Sequence, residues 1–288
     1  RGSVYYTRTT PGFEINDVGF VGRDDIQSFS NWWQRRWETP TTWYRRVFVN
    51  FNQWTSGTTA GLLTDMGGNI NAHAEFSNRW WIHTGFNYNN WVPTYCDRNC
   101  TRGGPALKQS RGAYNGWLGA ETDFRKPIPF FATIEHGRSD EGNSHFWWMG
   151  PGMSFRIASR FQGEVNGALY LNEDDNQYYE TFDGGTPEDR SYTIARLEQR
   201  EARLTARLDF TATPTLSVQF YGQPFVTTGE YSNLREVVDP RAARYADRYA
   251  PYTLDRNRDG TAEVPGGFDY KQFRSNTVLR WEYRPGST

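Results

Sequence analysis

At 288 residues the chain is long enough for one large β domain or two ordinary ones. Apolar residues make up only 36% and mean hydropathy is −0.81, yet aromatics reach 17%, which argues against an ordinary aliphatic core. A net charge of −1 excludes the global basic field of a nucleic-acid binder, and no apolar run of about 18 residues offers a transmembrane helix. The 12 Trp, 17 Tyr and 19 Phe suit two settings. One is a β protein whose flat rings stack on sugars; the other is a membrane barrel with aromatic girdles.

In chain order, GSVYYTR predicts a first strand, followed by the loop PGFEINDVGFVGRDD. Ile26 to Trp37 and WYRRVFVNFNQW read as a hairpin about the ETPTT turn, with Val47, Val49 and Phe51 alternating against Arg46, Phe48, Asn50 and Asn52. After a loop near Thr55 to Gly61, a second hairpin turns at SNR. It sets Ile70, Ala72, Ala74 and Phe76 opposite Asn69, Asn71, His73 and Glu75, and places Trp80, Ile82, Thr84 and Phe86 on one side of its return strand. A long polar link from Asn89 to Arg111 carries both cysteines. Strands near Ala113 to Phe124 and Phe130 to His136 flank RKPIP, and a glycine-rich polar loop follows.

The strand Phe146 to Ile157 presents Trp147, Met149, Met153, Phe155 and Ile157 on its apolar face, and FQGEVNGALYLN presents Val165, Gly167, Leu169 and Leu171. Glu173 to Arg190 reads as an acidic, polar loop. EARLTARLDF and LSVQFYGQ then alternate cleanly around TATPT: Leu204, Leu208, Leu216, Val218 and Phe220 share one face, Arg203, Arg207 and Gln219 the other. A last long loop, Thr227 to Gly267, precedes FDYKQFRSNTVLRWEYRPGST.

The turns ETPTT, SNR, RKPIP, ASR and TATPT are short, and the connections between them are expected to be long and polar. That alternation predicts an all-β fold, a transmembrane up-and-down antiparallel β-barrel of the outer-membrane type with about twelve strands in this chain. Trp37, Trp43, Trp80, Trp81, Trp281 and Tyr283 cluster beside the short turns, as one interfacial girdle requires. Arg46, Asn50, Asn71, His73, Glu75, His83, Arg203, Arg207 and Arg280 fall on the opposite strand face and would line a polar lumen.

Three segments carry a family resemblance. The matching positions are Asn16, Asp17, Gly19, Phe20, Arg23 and Asp25 in PGFEINDVGFVGRDD; Tyr231, Asp239, Pro240 and Arg241 in QPFVTTGEYSNLREVVDPRA; and Asn276, Arg280, Trp281, Tyr283, Arg284, Pro285 and Gly286 in FRSNTVLRWEYRPGST. Together they resemble the C-terminal barrel of DUF5916, a bacterial family of unknown function in which the barrel follows a periplasmic carbohydrate-binding module of the family 9 type. The resemblance implies a single outer-membrane barrel domain over residues 1–288. Against the family pattern, that domain would lack its first strands and its last, and the complete barrel would have about fourteen to sixteen strands.

Asp255, Asn257, Asp259 and Gly260 in DRNRDGTAE resemble the start of a calcium loop, with Glu263 as a substitute for the missing final acidic ligand. The plainer reading, a solvated Asx-rich turn, takes precedence. Cys96 and Cys100 are expected to form a local disulfide, since no histidine near them in sequence suggests a metal. His73 and His83 are expected to approach each other across the SNR hairpin, as lumen lining before metal pair. No GxSxG or HExxH is present, so a non-enzyme is the default.

The leading expectation is therefore a membrane anchor or conduit in the bacterial outer membrane, in contact with lipid and with a glycan or small solute, and with periplasmic or surface proteins as further partners. No cofactor beyond calcium is expected. A soluble aromatic-rich carbohydrate-binding β protein and an outer-membrane hydrolase are the alternatives.

Overall fold

The computed structural model describes residues 1–288 apart from residues 16, 18, 20, 21, 184–188, 257, 258, 285 and 288. The chain meanders through β1 (Gly2–Thr9), β2 (Ile26–Trp37), β3 (Tyr44–Gly57), β4 (Leu63–Phe76) and β5 (Trp81–Asn89). Two short strands, β6 (Tyr95–Cys96) and β7 (Leu107–Lys108), pair only with each other. β8 (Ala113–Glu121), β9 (Phe130–Ser139), β10 (Ser144–Ile157), β11 (Phe161–Phe182), β12 (Ser191–Thr213) and β13 (Leu216–Val237) resume the meander. β14 (Tyr249–Pro251) and β15 (Phe268–Trp281) then share the far edge of β13.

The result is one antiparallel sheet of thirteen strands, each long strand paired with its neighbour in sequence, so the all-β, up-and-down expectation holds. Leaving out three-residue β14, twelve long strands make the sheet. Among the described residues β1 pairs only with β2 and β15 only with β13, which makes these two the sheet edges. No helix among the described residues is long and apolar enough to cross a membrane.

Directly opposed residues lie on one face of the sheet. One row runs Trp33, Phe51, Ile70 and Phe86 across β2 to β5, and the next residue along each strand gives Gln34, Asn50, Asn71 and Gly85 on the other face. The apolar row is the exposed one: Trp33 is 54% and Phe51 49% exposed, against 6% for Asn50 and 5% for Glu75 on the polar face. A sheet with its apolar face outward and its polar face sheltered inverts the arrangement of a water-soluble β domain.

The buried apolar core lies elsewhere. Ile194, Leu107, Tyr245 and Tyr249 form one cluster, and Ala195, Leu234 and Leu254 another, both at the end of the sheet where β11, β12 and β13 rise to meet the loops of residues 90–112 and 238–267. These three strands are longer than expected. The stretch read as an acidic loop from Glu173 to Arg190 continues β11 to Phe182 and starts β12 at Ser191. Thr193, Ile194 and Ala195 are buried in succession, and register shifts fall between Asp174 and Gln177 and between Ile194 and Arg196. Burial on both faces and bulges each erase the two-residue period.

The strict alternation of short turns with long loops is also corrected. At the long-loop end, residues 58–62 and 140–143 are themselves tight connections. In the second, Asp140, Glu141 and Gly142 all take positive φ, and the Asp140 carboxylate accepts the Ser144 hydroxyl at 2.7 Å, which closes the hairpin directly.

Candidate functional site

The polar face of β2 to β5 is a lattice of amides. Gln34 Nε2 and Trp32 Nε1 donate to Asn50 Oδ1 at 2.8 and 3.2 Å, and Asn50 donates to Asn71 at 2.7 Å. Asn71 and Asn52 both donate to Asn69, at 3.0 and 2.6 Å. Cross-strand pairing places the amides opposite one another, so a polar side chain on every second residue suffices to build the lattice.

Towards the short turns the lattice gives way to charge. His73 Nδ1 and His83 Nδ1 lie 2.7 Å apart, so one ring donates to the other, and His83 Nε2 faces Glu121 at 3.5 Å. Arg46 Nε donates to Glu75 at 2.7 Å while Arg45 and Arg79 flank the same carboxylate at 3.4 and 3.2 Å. Three guanidiniums around one buried carboxylate hold this end of the hairpin rigidly.

Arg46, Asn50, Asn71, His73, Glu75 and His83 thus form one contiguous surface. Arg203, Arg207 and Arg280 share the polar face but stand several strands away: Arg203 lies opposite Phe225, Arg207 covers the Tyr221 ring at 5.7 Å, and Arg280 lies opposite Ser217. Trp37, Trp43, Trp80, Trp281 and Tyr283 are exposed at the short-turn end. Trp81 does not join them. It stacks on His83 at 5.7 Å beneath Arg46 at 4.7 Å, on the polar face, because consecutive residues of a strand point to opposite sides.

At the other end the long loops assemble into a folded cap. Cys96 and Cys100 form a disulfide, with Cys100 packed against the Leu107 and Ile194 cluster. Arg23 grips Asp97 through both guanidinium nitrogens at 3.0 and 2.6 Å and Arg98 reaches Asp24 at 3.3 Å, so the first loop docks on the disulfide loop. The Asp97 contact raises the Arg23 pKa further still. Arg248 is 1% exposed and donates to the carbonyls of Lys108 at 2.7 Å and Ala242 at 3.2 Å, tying the loops of residues 90–112 and 238–267 together.

Beneath this tie, Arg235 Nη1 meets Asp175 at 3.2 Å, and the same carboxylate accepts the Tyr245 hydroxyl at 2.9 Å. Burial pushes the phenols of Tyr245 and Tyr249 well above their ordinary value and raises the carboxyl of Asp140. A cavity of about 400 Å³ opens under the disulfide loop, lined by Asn90, Gln109, Asp140, Asp174 and Asn176 among others. The polar network of Asp175, Arg235, Tyr245 and Arg248 was not foreseen from the sequence. The β-forming run Tyr178, Tyr179 and Phe182, inside a stretch otherwise rich in Asp and Glu, is a sequence signal that β11 continues past Asp175.

In the calcium-like loop, Asp255 accepts the backbone N–H groups of Asp259 and Gly260 at 3.1 and 2.9 Å, and Asp259 accepts that of Thr261 at 2.7 Å. Glu263 accepts the N–H of Arg256 at 2.9 Å. These are the bonds of an Asx-rich turn. Asn257 lies outside the described residues, as do Asn16, Phe20 and Pro285 of the family resemblance. Among the described residues no group of three or more His, Cys, Asp or Glu side chains is arranged to hold a metal.

Neither the curated proteins nor the solved structures contain a match to this chain. A single family model spans residues 1–288, and the chain belongs to that family, described as "Domain of unknown function (DUF5916)".

Proposed function

We propose that residues 1–288 form the wall of an outer-membrane β-barrel that serves as a membrane anchor or a conduit for hydroxyl-rich solutes. One observation carries this reading: the large apolar side chains of the exposed face, among them Trp33, Phe51, Ile70, Phe86 and Leu118, sit opposite a sheltered face of Asn, His, Arg and Glu. Water penalises that arrangement, whereas a bilayer outside and a wet lumen inside require it. The exposed aromatics Trp37, Trp43, Trp80, Trp281 and Tyr283 at the short turns suit the headgroup level on the periplasmic side.

In hydrocarbon each unpaired backbone group costs several kcal/mol, so the edges β1 and β15 have to meet each other or further strands. A closed barrel of about fourteen to sixteen strands meets that need. The resemblance to barrels that follow a family 9 type carbohydrate-binding module fits a role in handling glycans, and the surface carries no recognisable catalytic constellation among the described residues. A soluble carbohydrate-binding β protein is the second reading, favoured by the aromatic content alone.

Membrane fractionation and gel mobility separate the two. The full-length protein is expected to need detergent for extraction and to migrate faster unboiled than boiled. Recovery in the aqueous fraction with heat-independent mobility would sink the barrel. Planar-bilayer recording then separates conduit from anchor, since an anchor shows no conductance.

A further inference from the structure

We infer that the polar face carries a carbohydrate subsite in which the indoles of Trp117 and Trp148 stack on the units of a neutral oligosaccharide and Glu135, between them, accepts its hydroxyls. The inference deepens the conduit reading and rests on it for the direction in which the polar face looks. Trp117, Glu135 and Trp148 are directly opposed on β8, β9 and β10, so they occupy one row of the sheet. With strands spaced 4.7–4.9 Å apart, the backbones that carry the two tryptophans stand roughly 10 Å from each other, and the Trp117 ring leans outward over Gly85 of β5, so the two rings reach over a few linked sugar units.

Aromatic rings recur on the polar face, among them Trp32, Trp81 and Tyr221, and placement sets Trp117 and Trp148 apart. A Cβ added to Gly85, opposite Trp117, would come within 2.1 Å of that ring, and one added to Gly150 within 2.2 Å of Trp148. Each indole therefore lies down over a glycine, with backbone beneath it and its other side turned to the polar space. A ring laid down in this way presents the surface that the C–H face of a sugar packs on.

Hydrogen bonding beside the rings is directional. Asn87 Nδ2 donates to Asn115 at 3.0 Å, and Asn115 Nδ2 donates to Glu135 at 2.6 Å. The chain of donors ends on a carboxylate, and Asn87 Oδ1 is a buried acceptor with no partner among the described residues. Both are acceptors for hydroxyl protons, and an unpartnered buried acceptor is costly until something donates to it. An organic cation would also find a carboxylate between aromatic faces and amide oxygens to donate to, but it accepts nothing from the amide N–H groups. The amide lattice of Asn50, Asn52, Asn69 and Asn71 extends on the same face, and it can both donate to and accept from sugar hydroxyls.

The test is calorimetric titration of the full-length protein, folded in detergent, with maltohexaose, cellohexaose, xylohexaose and, as the competing chemistry, putrescine. At least one hexasaccharide is expected to bind saturably. Trp117→Ala and Trp148→Ala are each expected to weaken it tenfold or more, with Trp117→Phe recovering most of the loss and Trp147→Ala, on the opposite face, leaving it unchanged. Absence of saturable binding by all three hexasaccharides, binding of putrescine alone, or binding indifferent to both indole truncations would overturn the subsite. Heat-modifiable mobility is recorded on every variant, so loss of the barrel is seen separately from loss of the ligand.

Discussion

The strand bodies and the loop-end cap are built from one continuous sheet yet obey opposite rules of burial. In the bodies, Phe51 and Ile70 are exposed while Asn50 and Glu75 are buried; in the cap, Ile194 and Leu107 are buried against the tyrosines 245 and 249 as in any water-soluble protein. β12 passes from one regime to the other along its own length, from buried Ile194 and Leu197 to exposed Leu204 and Phe210. On the proposed outer-membrane reading, the solvent outside the sheet differs with height: above, water drives apolar groups inward; below, the apolar groups stay out because they would face lipid.

The cap side of this contrast breaks first at its buried ion pair. Arg235 and Asp175 are both largely buried, and the pair is held by Tyr245 from one side. Arg235→Met removes the nearer of the two guanidiniums at the Asp175 carboxylate and leaves Arg196 at 3.9 Å, so urea unfolding should show a loss at the lower end of about 3–5 kcal/mol in the transition that reports the cap. The double change Arg235→Met with Asp175→Asn removes both charges and should recover a large part of it. A loss below 1 kcal/mol for the single change would mean that water reaches the pair and that the cap is no true core.

The strand side breaks with a charge on the exposed face. Ile70 is 47% exposed, which in water would make Ile70→Arg nearly silent, within about 0.5 kcal/mol. Facing hydrocarbon near mid-height, the same substitution should cost about 2–4 kcal/mol in refolding equilibria measured in bilayers. The neighbouring polar-face change Asn69→Ser, which takes the acceptor away from Asn52 and Asn71, should cost about 1 kcal/mol alike in either medium. A silent Ile70→Arg would erase the distinction between the two regions.

Sequence legibility follows the same boundary. Where one face is polar and the other apolar, the two-residue period is clean, and the faces of β3, β4, β5 and β10 came through as written in Arg46 to Asn52, Asn69 to Phe76, Ile82 to Phe86 and Trp147 to Ile157. Where both faces are covered, as at Thr193, Ile194 and Ala195, no period exists to read, and the upper halves of β11 and β12 pass for loop. The His73 and His83 contact was legible because a tight hairpin fixes register locally. The Arg235, Asp175 and Tyr245 network was not, since Asp175 and Arg235 sit on the upper halves of β11 and β13, where the two-residue period is lost, and Tyr245 joins them from the loop of residues 238–267.

The smallest expected effect concerns pH, and it probes whether the cap excludes water. The folded-state pKa values of the Tyr245 and Tyr249 phenols and of the Asp140 carboxyl are all raised, each chiefly by burial. A raised value means the folded state holds its proton longer than the unfolded one, so the stability linked to it is complete below the unfolded pKa and fades as pH rises. For Asp140 the fading starts near pH 4; for the phenols it starts near pH 10. The cap transition should therefore lose stability in two steps on going alkaline. Asp140→Asn should shrink the lower step, which Asp174, also raised by burial, shares, and Tyr245→Phe should shrink the upper one, although it also deletes the hydroxyl bond to Asp175 at 2.9 Å and so lowers stability at every pH. Absorbance at the phenolate band gives the independent reading. If both tyrosines ionise with the exposed ones near pH 10 while the cap is still folded, water already reaches them, and the strand bodies and the cap no longer differ in the way their burial says they do.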